Sequence, residues 1–132
     1  MQYTHYKDPA GLDDTGHSSA LDLAKLMSTL TNDQKIQEVG TTAQTTVTDV
    51  QGKIKHELRN SNRLVADYLY DGAEAGKTGF TPAAGHCLVG TAKRNGTTLI
   101  AVILSTYSED KAASAEENRK LLDWGFTNFS FL

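Results

Sequence analysis

Two runs of strand-forming residues, 87–93 and 98–106, flank the dipeptide Asn95-Gly96, and this pair constrains the fold more than any other feature of the chain. Both central residues of a type I′ turn need positive φ, which asparagine tolerates and glycine adopts freely, so the dipeptide predicts a tight antiparallel hairpin. The second run contains Leu99-Ile100-Ala101-Val102-Ile103-Leu104 without a polar break. A strand buried on one face alternates; one that does not is covered on both, which predicts a central sheet strand with helices on either side. A further strand is predicted over residues 77–81, joined to the hairpin by a turn at 82–85 that contains Pro82 and Gly85.

The first half of the chain reads differently. After a polar opening with a turn at Asp8-Pro9-Ala10-Gly11, Ser19 and Asp22 have capping-box spacing, and Leu23, Leu26, Met27 and Leu30 follow at i, i+3, i+4 and i+7. This predicts an amphipathic helix ending near Thr31-Asn32. A second short helix is expected through Ile36 and Val39, stopped at Gly40 by its freedom at positive φ. Residues 42–50 and the alternating Ile54, His56 and Leu58 predict another hairpin around Gln51-Gly52. The stretch 59–76 has no sustained period and reads as an irregular connection gripped at Leu64-Val65. Ser114 and Glu117 suggest a second capping box for a last helix that turns Leu121, Leu122, Trp124 and Phe126 toward the sheet. The class expected is α/β of the α+β type: an antiparallel sheet with helices on its faces, in one domain over 1–132.

Composition narrows the function. Hydrophobic residues at 39% and charged residues at 22% fit a folded globular domain. A net charge of -3 offers no basic footprint for nucleic acid. One cysteine, Cys87, excludes an internal disulfide and a thiolate metal cluster, and no cofactor or metal is expected. The longest apolar run has six residues, against about 20 for a membrane span, and no signal segment is evident.

Gly76-Lys77-Thr78 admits two readings. In a phosphate-binding loop, a glycine stands five residues before the second one and the lysine opens a helix; here Asp71 holds that position, and Gly79, Pro82 and Gly85 follow. The alternative is Lys77-Thr78-Gly79 as the third motif of penicillin-recognising serine enzymes. Its surroundings, Gly76-Lys77-Thr78-Gly79-Phe80-Thr81, Ala84-Gly85-His86-Cys87-Leu88-Val89, Ala92-Lys93-Arg94-Asn95-Gly96 and Leu121-Leu122-Asp123-Trp124-Gly125-Phe126, resemble the D-alanyl-D-alanine carboxypeptidase family. So do Gly11-Leu12-Asp13, Gly16-His17-Ser18-Ser19-Ala20-Leu21-Asp22-Leu23-Ala24 and Asn60-Ser61-Asn62-Arg63-Leu64, so that the likeness runs over nearly the whole chain.

The resemblance implies a β-lactamase/transpeptidase-like fold and roles for five residues. Lys77 would set a positive charge near the terminal carboxylate of a peptidoglycan D-Ala-D-Ala peptide or of a β-lactam, with Thr78 and Thr81 as hydroxyl donors to it. Gly79 would let an extended peptide lie against the strand edge. The backbone N–H of Phe80 would be one oxyanion donor, so its side chain is expected to matter less than its neighbours'.

The family's Ser-x-x-Lys and Ser-x-Asn motifs do not precede Lys77. The expectation is therefore an incomplete domain, a carboxy-terminal half that lacks the nucleophile and is inactive alone. Ser108-Glu109-Asp110-Lys111 matches Ser-x-x-Lys in letters but follows the third motif among carboxylates, so Ser108 is expected to start a surface helix. His5, His17, His56 and His86 fall on different predicted elements and read as structural histidines. Arg59, Asn62 and Arg63 are groove-lining candidates from a solvated loop, and Trp124 is read as core. Rival readings are a non-catalytic module binding peptide carboxylates and a piece of a class A β-lactamase. The parent is expected in the cell envelope, and this piece is expected to associate with the remaining half-domain or with itself.

Overall fold

The computed structural model describes residues 1–129. Helices α1 (Ala20–Leu30) and α2 (Gln34–Thr41) are followed by a hairpin of β1 (Gln44–Thr48) and β2 (Lys55–Arg59), a single-turn helix α3 (Arg63–Ala66), the strands β3 (Lys77–Thr81), β4 (Gly85–Arg94) and β5 (Thr97–Thr106), and the long helix α4 (Ala113–Asn128). Among the described residues β1 and β2 pair only with each other, and β3, β4 and β5 form an antiparallel sheet in that order. The Asn95-Gly96 turn forms as expected, with φ of 49° and 82°.

Strand order corrects one expectation. The central strand is β4, not the apolar run on β5, whose outer edge pairs with no strand among the described residues. The run is uninterrupted because both helices pack on β5: Leu99 lies against α4 at Gly125, while Leu104, of opposite parity, shares a groove with Leu23, Leu26 and Met27 of α1. Covering on both faces was legible; position in the sheet was not. Near its end β5 carries a bulge, where Leu104 and Ser105 together oppose Cys87 and Ser105 takes a φ of 58°.

The helix ends also differ from the pattern read in the sequence. Ser19 Oγ accepts the Asp22 N–H at 3.2 Å, but Asp22 does not reciprocate. Its carboxylate turns outward to accept from Tyr3 N–H and the Thr4 hydroxyl, both at 2.8 Å, and so pins the amino-terminal segment to α1. Burial pushes this carboxyl up, yet the hydrogen bonds outweigh it and the net shift is downward. A lowered folded-state value stabilises above the ordinary carboxylate range, and that contribution is lost as pH falls through it. The protection of the Tyr3 amide, taken relative to its intrinsic exchange rate at each pH, is therefore expected to fall on acidification below about pH 4, ahead of protection in β4. Gly40 does not adopt positive φ, and α2 runs on to Thr41. Its glycine is needed for contact instead, since a Cβ there would lie 2.8 Å from Ala75 Cα.

α4 starts after Ala112 with no side-chain cap; Ser114 sits buried inside the first turn and Glu117 pairs with Lys120 at 2.7 Å. The face turned to the sheet is set by Asn118, Leu122 and Gly125, at i, i+4 and i+7. That spacing leaves Leu121 42% and Trp124 54% exposed, so Trp124 is not core. It meets Phe129 edge-on at 5.2 Å. Asn118, fully buried, donates through Nδ2 to the carbonyls of Leu88 on β4 (3.2 Å) and Ala101 on β5 (2.9 Å), locking the helix across two strands. Leu64, Leu88, Ala92, Ala101, Ala115 and Leu122 form the core around it.

The connection after α3 is gathered onto α4 by Arg94. Its guanidinium lies 4.7 Å from the Tyr70 ring and 4.6 Å from the Phe126 ring, and pairs with Asp71 at 3.2 Å. Tyr70 donates its hydroxyl to Asp123 at 2.6 Å; burial, and then this carboxylate, push its phenol well above the usual range.

Candidate active site

β3 is the edge of the sheet, held on one side by β4 in the register Thr78↔Leu88, Gly79↔Cys87 and Phe80↔His86. Gly76 leads into this strand rather than into a helix, which removes the phosphate-loop reading. Side chains alternate along it, so Lys77 and Thr81 stand on one face and Thr78 and Phe80 on the other, with the open backbone edge between them. Lys77, Thr78, Gly79 and Phe80 line an open groove of about 650 Å³, whose far wall is built by residues around α3 and whose end is closed by Lys111 and Ser114 before and within α4. Thr81 lies outside this groove, in a neighbouring recess, with its hydroxyl accepting from Ala84 N–H at 3.0 Å.

The far wall is positioned by the Asn60-Ser61-Asn62 turn. Asn60 donates to the carbonyls of Gly40 (2.8 Å) and Thr42 (3.1 Å), which ties the turn to the end of α2. Asn62 is buried and caps α3 by accepting from Leu64 N–H at 3.1 Å, so it does not line the groove as expected. Between them, Ser61 reaches across, and its hydroxyl is 2.8 Å from that of Thr78. Lys77 Nζ donates to the Thr78 carbonyl.

Arg59 and Arg63 do line the groove, and both are held by one carboxylate: Arg59 Nη2 pairs with Asp67 Oδ1, and Arg63 Nη1 lies 3.1 Å from Asp67 Oδ2. With Lys77 and Lys111, the lining residues carry four cations against the carboxylate of Asp67. A chain of net charge -3 thus concentrates positive potential at this groove.

Sequence reasoning did not bring out Ser61, Asp67, Lys111 or His86 as parts of this site. For His86 a signal existed: with 82–84 as the turn, counting outward pairs Phe80 with His86, and the rings stack at 4.3 Å between centroids. His5 and His17, expected apart, are paired by two backbone hydrogen bonds of 2.9 and 3.0 Å, with rings 6.0 Å apart. Ser108 accepts from Asp110 N–H at 3.1 Å in the loop ahead of α4, a turn-capping role one turn earlier than a helix start. No described helix is long and apolar enough to cross a membrane.

Known proteins resemble this chain in sequence and in fold. The family described as D-alanyl-D-alanine carboxypeptidase matches residues 1–108. The chain is 33% identical over 130 residues to the D-alanyl-D-alanine carboxypeptidase DacF of Bacillus subtilis, covering 98% of this chain and 32% of that protein. It is 30% identical over 126 residues to a D-alanyl-D-alanine endopeptidase of Pseudomonas aeruginosa, covering 95% of this chain and 40% of that one. Among solved structures, the Streptomyces K15 DD-transpeptidase superposes with a TM-score of 0.82 at 29% identity over 94% of this chain and 48% of that chain. The D-alanyl-D-alanine carboxypeptidase of Mycobacterium tuberculosis gives 0.81 at 27% identity, over 96% and 48%. The chain therefore spans about a third of the length of the curated relatives and about half of the solved chains that it matches. By its sequence and its fold, this 132-residue chain belongs to the D-alanyl-D-alanine carboxypeptidase family.

Proposed function

We propose that this chain supplies the carboxylate-gripping wall of a serine-type D-Ala-D-Ala carboxypeptidase site acting on peptidoglycan stem peptides in the cell envelope, with the nucleophile contributed by polypeptide outside these residues. The observation that carries this reading is the open edge of β3, flanked by Lys77 on one face and by Thr78, hydrogen-bonded to Ser61, on the other. An extended peptide adds to such an edge through its backbone, and its terminal carboxylate meets Lys77 and the Thr78 hydroxyl. The Phe80 N–H is the chain's own oxyanion donor, and Gly79 keeps the approach clear. Thr81 assists from the far side of the strand.

In this reading the domain is incomplete, and the isolated chain binds without turnover. The outer edge of β5 and exposed apolar side chains such as Leu21 and Val39 (65% and 74% exposed) support association with a complementary half-domain or a second copy. Weak, saturable binding of N-acetyl-D-Ala-D-Ala, seen as shifts of the Thr78 and Gly79 amides in an NMR titration, is the expected result. Fluorescent penicillin should leave no covalent adduct by mass spectrometry; an adduct on Ser108 would overturn the assignment.

A further inference from the structure

Phe80 is 57% exposed although its ring stacks on His86, and both residues line the groove. An aromatic pair left open inside a concave, cation-rich site is more than hairpin packing requires. Resting on the reading above, we propose that the Phe80–His86 stack is a subsite for an aromatic acyl group: it selects ligands whose acyl cap, two residues from the terminal carboxylate, carries a planar ring.

The register supports the assignment. A peptide lying extended along β3 with its carboxylate at Thr78 advances about 3.3 Å per residue, which places its acyl cap about two residues on, at Phe80. Thr78 and Phe80 stand on the same face of the strand, so the ring and the carboxylate-binding hydroxyl address the ligand from one side. The stacked imidazole fixes the orientation of the phenyl ring before the ligand arrives, so little side-chain freedom is lost on binding. The oxyanion role of the Phe80 N–H is independent of this: the backbone serves every ligand, and the ring discriminates among them.

The test compares N-phenylacetyl-D-Ala-D-Ala with N-acetyl-D-Ala-D-Ala on the whole 132-residue chain by NMR titration. The phenylacetyl peptide is expected to bind about five-fold tighter, the range of one aromatic contact, with intermolecular NOEs from its ring to that of Phe80. This ratio should fall to near one in Phe80→Leu, fall partway in His86→Ala, and survive in Phe80→Tyr. A stack that merely holds the hairpin would change stability in these variants and leave the ratio alone. Equal affinities in the unsubstituted chain, no NOE to Phe80, or a ratio kept in Phe80→Leu overturns the subsite while leaving the carboxylate-binding role standing. Neither peptide shifting Thr78 and Gly79 overturns both.

Discussion

Replacing Gly90 by alanine is expected to cost about 2–4 kcal/mol of folding stability, read as a lowered urea midpoint with little change in slope. Gly90 lies in the middle of β4, and a Cβ built on it would fall 2.8 Å from Leu64 Cδ1 and 2.9 Å from Asn118 Cγ, with Asn118 Oδ1 closer still. Neither neighbour can retreat. Leu64 and Asn118 are both fully buried, and Asn118 is committed to the carbonyls of Leu88 and Ala101. Pushing it aside exposes two buried acceptors to unmet hydrogen bonding as well as straining the core. Gly79→Ala is the contrast: its Cβ would meet only Cys87 Cβ at 4.0 Å, an ordinary contact, and stability should stay within about 0.5 kcal/mol. A loss below about 1 kcal/mol for Gly90→Ala would mean that the Asn118 latch is soft rather than rigid.

Lys77→Met is expected to weaken binding of N-acetyl-D-Ala-D-Ala by about 30-fold or more, the scale of removing one partner of a hydrogen-bonded charge pair. Methionine keeps the length of the stem and removes the ammonium. Arg59 and Arg63 cannot take over, because both are drawn to Asp67 on the opposite wall. The affinity of the unsubstituted chain should also fall with added salt, and the variant should show a flatter dependence. Lys77→Arg should recover only part of the loss, since a planar fork does not reproduce a compact point charge at the strand edge. A larger effect from Arg63→Met than from Lys77→Met would relocate the anion site to the far wall.

What could be read from the residues followed the range of the forces involved. Asn95-Gly96, the Leu23-Leu26-Met27-Leu30 stripe and the Lys77–Thr81 strand are decided by local backbone preference and periodicity, and each forms. The capping boxes were less legible: Asp22 was drawn off by Tyr3 and Thr4, and Ser114 was carried inside the helix by the packing of Asn118 and Leu122. Gly40 needed its missing side chain for Ala75, a partner 35 positions away, which no local rule reveals. The same holds for the groove. Lys77, Thr78, Gly79 and Phe80 were visible as a motif, whereas Ser61, Asp67 and Lys111 enter it only through the turn held by Asn60 and the arrival of α4. Trp124 was misplaced because an apolar residue near a helical stripe was assumed to share it.

The recognition strand and the body of the protein are fastened by different means. β4, β5 and α4 share the buried core, whereas β3 contributes five residues, none of them buried, and among the described residues it pairs with β4 alone. Opening β3 thus forfeits a short ladder, the Phe80–His86 stack and the Ser61–Thr78 contact without disturbing Ala101 or Leu122 in the core. The ligand-contacting segment is a unit that can detach and re-dock on its own, with a protection free energy below that of global unfolding. Ligand held by this strand is released on local opening and on global unfolding alike, so occupancy raises both thresholds and registers first as slowed solvent exchange at residues 77–81, whose threshold is the lower.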